Sequence, residues 1–125
     1  MEILVDKDAE KDEEENKIPY DVFEKLDLRV GRIITANDHP KADKLYVLTV
    51  DLGEPALRTI VAGLKSHYEK EDLLNKEAVF VVNLKSINLR GVESDGMILA
   101  AVGPAEKELF ILKPENDLPV GSKIR

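Results

Sequence analysis

Gly91 and Gly96 stand five residues apart, the spacing that opens a phosphate-cradling P-loop. That loop continues with a lysine and then a serine or threonine, which hold phosphate and magnesium. Here Met97 and Ile98 follow, so both anchors are missing. Ser94 would be a nucleophile only beside a general base. No base partner is identifiable, and Ser94 reads first as a hydrogen-bonding serine. His39 and His67 lie far apart and neither belongs to an HExxH pattern. Each reads as a loop or helix-cap residue rather than a metal ligand or base. With 25 Asp and Glu side chains, carboxylate pairs arise anywhere and carry no signal. Cys is absent, which excludes disulfides and cysteine-ligated zinc. The expectation is a non-catalytic chain with no catalytic residues, no metal and no cofactor. What remains is a polar stretch, Asn83 to Asp95, that carries Lys85, Arg90 and Gly91 between two apolar runs.

Short apolar strands must position that stretch. Ile18 to Leu26 has Pro19 at a helix start and Val22, Phe23 and Leu26 at helical spacing, which predicts a short helix with one apolar side. The period then changes. Leu28–Thr35 reads as a strand in which Gly31 marks a bend or bulge. Asn37 to Asp43 is loop chemistry. Lys44–Asp51 is a second strand with Tyr46, Leu48 and Val50 on one face. Leu57–Ala62 is a third, and Gly63 to Asn75 has room for a short helix. Ala78–Val82 is a buried-type strand, Asn83–Asp95 a loop, and Gly96–Val102 and Glu108–Leu112 are two more strands. This order matches an all-β, five-stranded Greek-key barrel, the oligonucleotide/oligosaccharide-binding (OB) fold, with a short N-terminal helix and extra C-terminal strands.

The 125 residues and 14.0 kDa suit one domain. The longest apolar run is six residues, Met97–Val102, against about 20 for a membrane span. No signal peptide is recognisable, and the reading is a soluble, cytoplasmic protein. The net charge of −7 is unevenly placed. Residues 1–17 hold eight acidic side chains against three lysines, and the rest holds 17 acidic against 15 basic. Residues 1–17 are therefore expected to be an acidic flexible leader or linker, with the barrel over 18–125. A near-balanced body does not forbid a polyanion partner, because clustering on one face decides that.

Two stretches go beyond composition. One is Leu26-Asp27-Leu28-Arg29-Val30-Gly31-Arg32-Ile33, continuing to His39-Pro40-Lys41-Ala42-Asp43-Lys44-Leu45. The other is Val82-Asn83-Leu84-Lys85 followed by Leu89-Arg90-Gly91-Val92-Glu93-Ser94-Asp95-Gly96-Met97-Ile98-Leu99-Ala100. Together they resemble the signatures of the tRNA-binding domain shared by stand-alone structure-specific tRNA-binding proteins, the C-terminal extension of many methionyl-tRNA synthetases, and endothelial-monocyte-activating polypeptide. The resemblance covers about Tyr20 to Arg125, with Ala62 standing where a serine is common. It implies a domain that grips the outer corner of tRNA with little regard to amino-acid identity. It also implies a homodimer, and an accessory role that raises the tRNA affinity of a synthetase, most directly the methionyl enzyme.

The resemblance further implies a site. Lys85 and Arg90 would neutralise phosphate, Arg90 as a fork on phosphate or a base edge. Asn83 would pair with base or ribose. Ser94 would bond ribose or phosphate, and Met97 would offer a soft surface to a base. Lys41, Lys44 and Lys65 would be electrostatic flanks. Gly91 and Gly96 are expected only to shape turns, and Arg29 and Arg32, three apart in a strand, to point to opposite faces. Aromatics are few, and Phe80 and Tyr46 read as core. That argues against generic single-strand stacking and for recognition of RNA shape. A second reading is a dimeric, export-associated chaperone of the same fold that binds unfolded peptides.

Overall fold

The computed structural model describes residues 15–125. Most of the acidic leader expected over 1–17 lies outside the described residues.

Strand β1 (Leu28–Asp38) is the hub. It pairs antiparallel with β2 (Tyr46–Asp51), β4 (Glu77–Val81) and β10 (Lys123–Ile124). Eleven residues are too long to run straight in a barrel this small. The register with β2 shifts between Ile33 and Thr35. That irregularity bends the strand, so its first half meets β4 and its second half meets β2. Gly31 is not the bulge. It pairs in register with Ala78. A Cβ there would lie 2.7 Å from Leu52 Cδ2 and 2.8 Å from the Phe80 ring. The glycine makes room for two core side chains rather than for a bend.

The remaining strands are β3 (Arg58–Ala62), β5 (Ile87–Leu89), β6 (Val92–Ser94), β7 (Met97–Ile98), β8 (Ala100–Val102) and β9 (Leu109–Ile111). The main sheet runs β3-β2-β1-β4-β7 with β10 added beside β1. Asp95 N donates to Thr59 O at 2.8 Å, which draws β3 towards the segment before β7 and leaves a nearly closed barrel. The fold is all-β and OB-like, as expected. A four-residue helical turn, Lys70–Leu73, sits between β3 and β4 and buries Leu73.

The core follows the strand period. Tyr46, Leu48 and Val50 alternate inward along β2, and every residue of β4 is buried. Phe80, Ile33, Ile60 and Leu73 are fully enclosed among them. Tyr46 reaches the core and donates its hydroxyl to Tyr68 O at 2.7 Å. The Tyr68 hydroxyl accepts from Ile111 N, tying the C-terminal hairpin β8–β9 to the barrel.

Three elements differ from expectation. The N-terminal helix is only Tyr20–Phe23, and none of its residues is buried. The strand expected over Gly96–Val102 is broken at Leu99. There the chain leaves β4 and turns to β9, with Leu99 N bonding Val79 O and Leu99 O accepting from Leu112 N. The stretch Asn83–Asp95, expected as a loop, contains the hairpin β5–β6.

The Gly31 geometry predicts that Gly31→Ala overpacks the core. The expected loss is about 1–3 kcal/mol, read as a lower urea midpoint at unchanged slope.

Candidate nucleic-acid interface

Only two residues, Arg90 and Gly91, separate Leu89 from its partner Val92. Their φ values are 55° and 95°, the doubly positive pattern of a primed hairpin turn. Asn88 Oδ1 accepts from Gly91 N at 2.9 Å and braces that turn. Arginine is an unfavoured residue at the first turn position. A side chain held there in the left-handed region costs on the order of 1–2 kcal/mol. The hairpin therefore carries its guanidinium at the tip at a local cost.

Alternation sets the hairpin's two faces. Ile87 lies opposite Ser94 and Leu89 opposite Val92, while Asn88 and Glu93 face the other way. The inner face, with Ile87, Leu89 and Ser94, covers a cleft of about 460 Å³ whose floor is Val61 and Gly96. Leu84, Lys85 and Met97 complete its wall. No carboxylate lines it. Glu93 is held on the outer face by the Ser86 hydroxyl at 2.9 Å. Asp95 follows Ser94 and precedes Gly96, and its carboxylate sits 3.9 Å from Arg58.

The predicted residues divide into two groups. Lys85 and Met97 are exposed on the cleft, with Met97 at 45%. Arg90 is exposed at the hairpin tip. Lys41 and Lys44 are exposed on the β1–β2 loop. Among the described residues these four cations make no ion pair. Lys65 is exposed and pairs with Asp38 at 3.2 Å, and Lys70 meets the same carboxylate at 3.1 Å. The Lys70 ammonium, then that of Lys65, holds the Asp38 carboxyl below its ordinary value.

Ser94 and Asn83 are spent on the fold. Ser94 is 2% exposed. Its hydroxyl accepts from Val61 N at 2.9 Å and donates to Gly96 O at 3.1 Å. The bond expected with ribose or phosphate is thus made inside the barrel. Asn83 Oδ1 accepts from Asp27 N at 2.8 Å, and its Nδ2 donates to Lys25 O at 2.6 Å. It pins the chain after the N-terminal helical turn with one acceptor and one donor, while the residue stays exposed. Arg29 is also spoken for. It forks onto Asp27 at 2.9 and 3.0 Å. Arg32 bonds Asn75 O and Glu77, and Arg58 forks onto Glu54. The arginine beside Asp27 and the one beside Glu54 hold those carboxyls below their ordinary values.

One residue was underread from sequence. His39 is buried, and its ring bonds both Leu89 O and Lys41 N. It joins the loop bearing Lys41 to the residue before Arg90. Its place in a polar loop motif hid that role. Among the described residues no His/Asp/Glu cluster could hold a metal ion.

Ser94→Ala should leave the Val61 N–H buried and unpaired. The expected cost is about 1–3 kcal/mol, with faster amide exchange at Val61 and an unchanged net charge.

Comparison with known proteins is consistent with this geometry. The family model described as "Putative tRNA binding domain" matches residues 28–123. The methionine–tRNA ligase of Pyrococcus horikoshii is 48% identical over 126 residues, covering 98% of this chain and 17% of that protein. The methionine–tRNA ligase of Nanoarchaeum equitans is 49% identical over 117 residues, covering 93% of this chain and 15% of that protein. The chain thus spans about one sixth of the curated relatives it matches. Among solved structures, the MetRS related protein from Pyrococcus horikoshii superposes with a TM-score of 0.81 at 34% identity, covering 88% of this chain and 99% of that one. The chaperone CsaA from Bacillus anthracis superposes with a TM-score of 0.78 at 30% identity, covering 87% of this chain and 99% of that one. By the family match, the matched relatives and the shared barrel, this chain belongs to the tRNA-binding domain family.

Proposed function

We propose that this domain does no chemistry and binds tRNA by shape at its outer corner, raising the tRNA affinity of an aminoacyl-tRNA synthetase in the cytoplasm, most directly the methionyl enzyme. The observation that carries the reading is the separation of paired from unpaired cations. Arg29, Arg32 and Arg58 are tied to carboxylates. Lys85 stands unpaired on a cleft that no carboxylate lines, Arg90 stands unpaired at the hairpin tip beyond Leu89, and Lys41 stands unpaired on the loop that His39 ties to Leu89. Such a strip attracts a polyanion despite a net charge of −7. Met97 and the aliphatic cleft wall offer an apolar surface to an unstacked base. The contribution to a synthetase would be local concentration of tRNA. The link to the methionyl enzyme rests on the relatives, and no helix among the described residues is long and apolar enough to cross a membrane.

The same reading includes a homodimer. Its support is the exposed apolar surface at the N-terminal turn and the C-terminal hairpin. Tyr20 is 69% exposed and Phe110 62%, with Ile18, Phe23 and Val102 also open. Apolar patches of this kind mark protein–protein contact surfaces when they are contiguous. Sedimentation at micromolar concentration should give twice the chain mass, and a monomer there would remove this part.

The chaperone reading is favoured by one observation, the predominantly apolar cleft lining, together with the likeness to CsaA. Salt separates the two. Filter binding with unfractionated tRNA should weaken steeply between 50 and 200 mM salt. Unfolded peptide binding with little salt dependence, and none to tRNA, would favour the chaperone.

Arg90→Ala should weaken tRNA binding by about tenfold and lower the salt slope by about one. Arg90→Asn, which suits a positive-φ turn position, should lose the same affinity while matching or exceeding the parent's urea midpoint. Equal affinity in both variants would remove Arg90 from the site.

A further inference from the structure

The buried imidazole of His39 is used by nothing so far described except the fold, and its two bonds reach both flanks of the cationic strip. His39 is 5% exposed. Nδ1 accepts the Lys41 backbone N–H at 2.9 Å. With Nδ1 bare, the ring proton sits on Nε2 and is donated to Leu89 O at 2.8 Å. One neutral ring thus spans two segments fifty positions apart in sequence. Its first partner is the main chain of an unpaired lysine. Its second is the carbonyl immediately before Arg90, at the start of a two-residue turn.

Other contacts leave this job to His39. Ser94 fastens the opposite strand of the hairpin, at the end away from the tip. The Asn88 bond closes the turn on itself and makes no contact with the β1–β2 loop. Strands of three residues each supply little intrinsic stiffness.

The geometry points to His39 as a positioning residue that sets the spacing between Lys41, whose main chain its ring bonds, and Arg90, the residue that follows the carbonyl its ring bonds. This rests on the tRNA-binding reading above. Fixed spacing matters because phosphates along an RNA strand are themselves regularly spaced. Two cations held at a set separation bind two phosphates without the ordering cost that mobile ones incur.

A double-mutant cycle tests it. His39→Ala should weaken binding of unfractionated tRNA by about tenfold. In an Arg90→Ala background the same change should cost less than about threefold, because there is no longer a guanidinium to position. An equal loss in both backgrounds, or no loss in the first, overturns the proposal. Two isosteric variants guard against simple unfolding. Gln places its amide N–H near Nε2 and keeps the Leu89 bond, whereas Asn places its oxygen near Nδ1 and keeps the Lys41 bond. Amide exchange at Gly91 and Val92 should stay slow in His39→Gln and quicken in His39→Asn. Equal exchange in the two also overturns it. If Arg90→Ala alone leaves tRNA binding intact, the proposal is overturned; if the parent chain binds no tRNA, the functional reading fails. Exchange at the hairpin tip then decides the positioning claim by itself.

Discussion

A two-stranded hairpin with three residues per strand does not hold its shape in water. The hairpin Ile87–Ser94 does so only because the barrel grips it at both ends. At one end the Ser94 hydroxyl is inserted between Val61 N–H and Gly96 O. At the other, the His39 ring bridges Leu89 O and Lys41 N. The cleft has a roof because of the first contact. The cations at its rim have a fixed relation because of the second. Remove both, and Lys85, Arg90 and Lys41 become three solvated side chains on mobile segments, with no more claim on a polyanion than any surface lysine.

Charge is organised by pairing rather than by number. The chain has 18 basic and 25 acidic residues, a balance that argues against RNA on its face. Bonding reverses the argument. The arginines of β1 and β3 are neutralised where they lie, by Asp27, Glu77 and Glu54. Lys65 and Lys70 share Asp38, so that cluster carries only part of its formal charge outward. Among the described residues, Lys25, Lys107, Lys113, Lys123 and Arg125 make no ion pair, and neither do Lys41, Lys44, Lys85 and Arg90 at the hairpin and the neighbouring loop. Burial reinforces the pattern, since the cleft beneath them is aliphatic and excludes carboxylates.

Much of the scaffold was legible in the sequence because its signals are local. The inward alternation of Tyr46, Leu48 and Val50 and the apolar run to Val82 locate β2 and β4 directly. The β5–β6 hairpin was not legible. A primed turn is usually announced by Asn-Gly or Asp-Gly, and here Arg90-Gly91 fills it, between strands that show polar Asn88 and Glu93 outward. Gly31 could be flagged but not explained, because its reason is the distant Phe80 ring. The site was half legible. Charge type marked Lys85 and Arg90 as candidate site cations, and the structure leaves both exposed, Lys85 on the cleft and Arg90 at the hairpin tip. The roles of Asn83, Ser94 and His39 depend on partners 33 to 58 positions away, and sequence spacing carries no such information.

The central claim is that one strip, built from the β1–β2 loop, the cleft wall and the hairpin tip, meets the RNA. The most direct measurement is an amide-resolved NMR titration of the isotope-labelled chain with tRNA. Signals of Lys41, Lys85, Arg90, Gly91 and Met97 should shift or broaden together at the lowest RNA ratios, while those of β8–β9 lag behind. Perturbations that begin at the exposed Phe110 face, with the hairpin tip unaffected, would contradict it.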